Sequence, residues 1–71
     1  PNPATEGWTV RGVQAGDTVE LYDAAGRRIT AIRSVGGAVE LVAAGLPAGM
    51  YTLRIHRGTG GAPQVHKLEK R

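Results

Sequence analysis

Seventy-one residues allow one small hydrophobic core and no second domain. The chain has no cysteine, which excludes disulfides and thiolate metal sites, and no apolar run near the roughly 18 residues of a membrane-spanning helix. The net charge is +3 and unevenly spread: residues 1–50 carry four Arg against five Asp or Glu, whereas residues 51–71 carry Arg54, Arg57, Lys67, Lys70 and Arg71 against Glu69 alone.

Turn chemistry recurs every eight to twelve residues or so, the spacing of an all-β sandwich. A first β-type run covers residues 8–13, and Gln14-Ala15-Gly16-Asp17 separates it from a second at 18–23. Asp23-Ala24-Ala25-Gly26 then reads as a bulged hairpin turn, with Asp in the opening position and Gly in the left-handed one. The next strand is predicted over 27–35. Gly36-Gly37 is a plausible two-residue hairpin into 38–42. Residues 43–49 form a longer loop containing Pro47, and Gly49 can take the positive φ that a tight turn asks for.

The strongest strand signal is 50–57, where Tyr51, Leu53 and Ile55 point one way and Thr52, Arg54 and His56 the other. Gly58-Thr59-Gly60-Gly61 is a turn, and 62–70 is the last strand. No window keeps apolar residues at helical spacing for three turns. The expectation is therefore a small Ig-like antiparallel β-sandwich of six to seven strands. Its core candidates are Trp8, Val10, Val19, Leu21, Ile29, Val39, Leu41, Leu46, Tyr51, Leu53, Ile55, Val65 and Leu68. The three aromatic residues, Trp8, Tyr22 and Tyr51, are expected to be buried anchors. Val65 and Leu68 have opposite parity, so the last strand either bulges or turns one of them out. If that strand lies at a sheet edge, its backbone is open to a partner strand or to self-association.

The chemistry-bearing residues are sparse. His56 and His66 sit on adjacent predicted strands and are candidate cross-strand neighbours, but a zinc site wants three or four ligands and nothing suitable accompanies them. Asp17, Glu20 and Asp23 span a strand with Glu20 on the opposite face, which argues against calcium. No nucleophile stands beside a base, and no phosphate-binding glycine loop opens a helix. No cofactor, metal site or enzymatic activity is expected. Nucleic-acid binding suits the basic composition but lacks stacking aromatics and any known motif. An Ig-like adhesion or carbohydrate-binding module is the better rival, although such modules need exposed aromatics. From charge alone, the basic C-terminal third reads as a solvated face before it reads as a recognition surface.

Four blocks, in order, carry a further signal: Pro1-Asn2-Pro3-Ala4-Thr5; Val19-Glu20-Leu21-Tyr22-Asp23-Ala24-Ala25-Gly26-Arg27-Arg28-Ile29; Leu46-Pro47-Ala48-Gly49-Met50-Tyr51-Thr52-Leu53-Arg54-Ile55; and Lys67-Leu68-Glu69-Lys70-Arg71. The second block alone also resembles a YD-type repeat, but it occurs once. Together the four resemble the type IX secretion C-terminal sorting domain and span the chain from residue 1 to 71. Glu6, Trp8 and Met50 depart from that family's usual residues, and the 58–63 loop is slightly long.

The resemblance implies that residues 1–71 are one sorting domain, cut from a longer secreted cargo protein of a Gram-negative bacterium. Any export signal would lie upstream. It further implies recognition in the periplasm by shuttle components and the outer-membrane translocon, then removal by a cell-surface sortase. The family's signal residues map here onto Gly49, Tyr51, Lys67, Leu68, Lys70 and Arg71. The block Leu21, Tyr22, Asp23, Gly26 and Arg27 reads as structural: a core leucine, a turn aspartate and a left-handed glycine.

Overall fold

Alternation makes the strands, and glycine-bearing loops end them. A computed structural model describes residues 6–71. It contains six strands: β1 (Gly7–Val13), β2 (Thr18–Tyr22), β3 (Arg28–Arg33), β4 (Gly37–Val42), β5 (Gly49–His56) and β6 (Gln64–Lys70). The Pro1-Asn2-Pro3-Ala4-Thr5 block lies outside the described residues. β1 pairs with β4 in a two-stranded antiparallel sheet, and β3-β2-β5-β6 form a four-stranded antiparallel one. No helix occurs among the described residues. The all-β sandwich is as expected, and every predicted strand is present with its ends moved by one or two residues.

The core lies between the two sheets. Trp8, Val10, Val13, Val39 and Leu41 come from the small sheet, and Val19, Leu21, Tyr51, Leu53 and Ile55 from the large one. Trp8 and Tyr51 meet across the layers with ring centroids 5.7 Å apart, a tilted contact of the kind aromatic quadrupoles favour.

Two bulges reassign residues that simple alternation misplaces. In β1, Arg11 pairs with Ala38 and Val13 with Gly37, so Gly12 is an extra residue. Its φ of 77° is natural for glycine. The skip returns Val13 to the core although its parity is opposite to that of Trp8 and Val10.

In β2–β3, Leu21 pairs with Thr30 but Tyr22 with Arg28, leaving Ile29 unpaired. Ile29, expected inside, is 37% exposed, and Ile32 packs on the core in its place. Val65 is corrected as well. It stands opposite Arg54 in an unbroken register and is 52% exposed, while Leu68, opposite Tyr51, faces in. Tyr22, expected as a buried anchor, is half-buried on the outer face, and the Arg54 guanidinium lies 5.5 Å from its ring centroid.

Gly36-Gly37 is not a hairpin. β3 belongs to the large sheet and β4 to the small one, so this link crosses between layers. It is tied to the β1–β2 crossing, where the Gly16 N–H donates to the Ser34 carbonyl (3.0 Å) and the Ser34 N–H to that of Asp17 (2.7 Å).

The Asp17 side chain completes this end of the sandwich. Its carboxylate is buried and accepts the N–H groups of Gln14 (2.9 Å) and Gly58 (2.9 Å) and Arg57 Nη1 (2.7 Å). One residue thus joins the β1–β2 loop to the β5–β6 loop. The Gln14 and Gly58 amides and the Arg57 guanidinium hold its pKa at about 2, below the ordinary 3.8.

Candidate recognition surface

Strand directions place the β2–β3 turn, the β4–β5 loop and the end of β6 together at the pole opposite Asp17. Each is built by local bonds. Asp23 Oδ1 accepts the N–H groups of Ala25 (3.0 Å) and Arg27 (2.9 Å), and Arg27 Nε donates to Oδ2 (3.1 Å). The Arg27 backbone N–H and side chain hold the Asp23 carboxyl below its usual range against a smaller opposing effect of burial. Gly26, with φ 84°, closes this turn, and Leu21 anchors it in the core at 1% exposure.

The Leu46-Pro47-Ala48-Gly49 turn is held from two sides. The Tyr51 hydroxyl donates back to the Pro47 carbonyl (2.5 Å), and Lys70 Nζ donates to the Leu46 carbonyl (2.6 Å). Tyr51 is itself buried, so its ring packs in the core while its hydroxyl holds the loop, as in the tyrosine corner of other sandwiches. In the β5–β6 ladder Gly49 pairs with Lys70, Tyr51 with Leu68 and Thr52 with Lys67. Lys67 Nζ also donates to Thr52 Oγ1 (3.2 Å). Gly49, Tyr51, Lys67, Leu68 and Lys70 therefore form one physical unit, and exposed Arg71 follows it directly.

An open groove of about 420 Å³ separates this unit from the β2–β3 turn. Arg27, Arg28, Ile29, Pro47 and Met50 are among its lining residues. Ile29 and Met50, at 37% and 48% exposure, are apolar groups shown to solvent at the same pole as Arg27.

Gly49 has φ +147° and no atom within 4 Å of where a Cβ would sit, so the demand there is conformational, not spatial. Gly49→Val is expected to cost about 1–3 kcal/mol and to distort the turn. An unchanged thermal melt and β-sheet spectrum would show that glycine is not required. Tyr51→Phe keeps the ring and removes only the bond to Pro47, an expected loss of about 1 kcal/mol. That lowers the melting temperature by about 4–8 °C in a domain this small.

The outer face of the large sheet carries a second polar cluster. Glu20 receives Arg28 Nη1 (3.1 Å) and meets His56 Nε2. Burial raises the Glu20 pKa, but the bonds from His56 and Arg28 outweigh it and the net shift is downward. His66 stands opposite Leu53 and so faces the other side, which corrects the expectation that the two histidines are neighbours. Among the described residues no group of three or more His, Asp or Glu side chains is arranged to hold a metal.

The basic excess also divides. Arg57 and Lys70 bond Asp17 and the Leu46 carbonyl, while on the outer face Arg54 lies over the Tyr22 ring and Lys67 bonds Thr52. Asp17 and Glu20, considered for calcium in the sequence, are instead the hubs of these two networks. Their partners Arg57, Gly58 and His56 lie too far along the chain for any spacing rule to have paired them.

Residues 1–68 match the secretion system C-terminal sorting domain family, and the chain belongs to that family, the sorting domain of type IX secretion. No curated protein and no solved structure matches it. A domain of this family directs its protein to the cell surface or the extracellular space and implies interaction with the type IX machinery.

Proposed function

We propose that residues 1–71 act as the sorting signal of a longer cargo protein, and that the loop pole is what the outer-membrane machinery reads. The supporting observation is convergence. Parts of three sequence blocks far apart in the chain, at 19–29, 46–55 and 67–71, meet at one end of the sandwich. Ile29 and Met50 add apolar surface to the groove that Arg27 also lines, the mixed character a docking surface uses.

In this reading Gly49, Tyr51 and Lys70 shape the pole, Leu68 anchors the last strand, and Lys67 and Arg71 present charge to the translocon or its shuttle components. The domain contributes no chemistry. The cargo transits the periplasm, and a sortase on the cell surface then removes the domain. A carbohydrate-binding role finds less support, because Trp8 and Tyr51 are buried and Arg54 lies over the ring of Tyr22.

The test is a transplant. Residues 1–71 are fused to the C-terminus of a periplasm-directed fluorescent reporter, in a strain with a working type IX system and in a translocon-null strain. Surface display only in the competent strain is expected. Periplasmic retention in both, with the domain folded, would refute sufficiency.

A further inference from the structure

The two layers are unequal. Stacked sheets space their strands about 4.8 Å apart, so a two-stranded layer cannot cover a four-stranded one. The uncovered strip runs along the inner face of β6. Gln64, His66 and Leu68 alternate on that face, opposite Ile55, Leu53 and Tyr51, yet Gln64 and His66 are exposed and Leu68 only half-buried. Between this strip and β1 lies a second groove, of about 350 Å³, away from the loop pole. Its apolar floor comes from Trp8, Val10, Leu53, Ile55 and Leu68.

Three further observations describe what would fill it. First, among the described residues β1 is hydrogen-bonded only to β4, so within them its other edge is unpaired along the groove. Second, the indole Nε1–H of buried Trp8, which lines the groove, has no acceptor among the described residues. A buried donor without a partner is uncommon and unfavourable. Third, the polar lining includes Arg11, Arg57 and His66, and no carboxylate. Asp17 occupies Arg57, whereas Arg11 and His66 are exposed.

We propose that this groove accepts an extended strand from another protein, hydrogen-bonded to the open edge of β1. Apolar side chains of that strand would rest on the Trp8–Leu68 floor, beside inward-facing His66, and its carboxylates would face outward toward Arg11. The added strand would give the small sheet a third member and cover the exposed inner face of β6. Strand addition takes affinity from backbone bonds and specificity from alternate side chains. Here the alternation asked for is apolar inward and acidic outward. This site is separate from the pole proposed for sorting and does not depend on that reading.

Trp8 is the sole tryptophan, so its fluorescence reports the groove directly. The probe is a synthetic peptide of about eight residues, an ordinary strand length, alternating Val or Ile with Glu. A control replaces every Glu with Lys, and a second control is N-methylated at alternate positions to remove its backbone donors. The Glu peptide should shift Trp8 emission saturably and protect the amides of Thr9 to Arg11 from exchange, and neither control should. Arg11→Glu, at an exposed position, should weaken the Glu peptide about tenfold and admit the Lys peptide.

The proposal is overturned if wild-type protein binds neither peptide, or if binding ignores the charge reversal or the N-methylation. Protection on β6 or β3 in place of β1 would also overturn it. So would concentration-dependent protection of β1 without peptide, which would make a second copy of this chain the occupant.

Discussion

Replacing Trp8 with alanine is expected to remove about 3–5 kcal/mol of stability, the usual cost of deleting a fully buried large aromatic. A domain of this length is expected to hold only about 4–11 kcal/mol in total, so the loss is a large share of the whole. Trp8 is 3% exposed and sits on the ring of Tyr51. Its removal would therefore also loosen the ring whose hydroxyl holds the Pro47 turn. Chemical denaturation followed by circular dichroism should show a much lower midpoint. A midpoint close to wild type would mean that the two sheets are not joined mainly through this pair.

Asp17→Asn should change how stability depends on pH. The folded-state pKa of Asp17 is depressed, so its contribution is complete above about 3.8, the unfolded value, and is lost as pH falls through about 2. Glu20 and Asp23 are shifted the same way and reinforce the acid limb. Wild-type protein should lose melting temperature across that window. The variant should start lower at neutral pH, because Arg57 then faces a neutral partner, and should lose less on acidification. Parallel acid limbs for the two proteins would show that Asp17 is not a principal source of the acid sensitivity.

Strand positions were legible in the sequence because alternation is local, and 50–57, observed as 49–56, was the plainest case. The bulges were not. Gly12 and Ile29 each shift parity by one residue, and nothing in the flanking residues says whether a glycine or an isoleucine is the extra one. Sheet membership was hidden for a related reason. Gly36-Gly37 has hairpin chemistry, but whether β4 pairs with β3 or β1 is decided by long-range packing of Val39 and Leu41 against Trp8 and Val10.

At the loop pole, family resemblance singled out Gly49, Tyr51 and the basic residues at 67–71. Only the fold revealed that Lys70 reaches the Leu46 carbonyl and that these residues share one ladder. That ladder also changes how the terminus can be tested. Deleting residues 68–71 would remove Leu68 from the edge of the core, so a sorting defect would be confounded with damage to the fold. Charge changes at exposed positions avoid this problem.

The most direct measurement is surface delivery of the reporter fusion carrying Lys67→Glu and Arg71→Glu together, alongside thermal melts of the isolated domain. Both side chains are exposed, and substitutions at such positions usually change stability by no more than about 0.5 kcal/mol. If the pole is the sorting signal, the melt should stay close to wild type while the reporter moves from the cell surface to the periplasmic fraction. Undiminished surface delivery by the folded double variant would contradict a charge-reading recognition at this end of the domain.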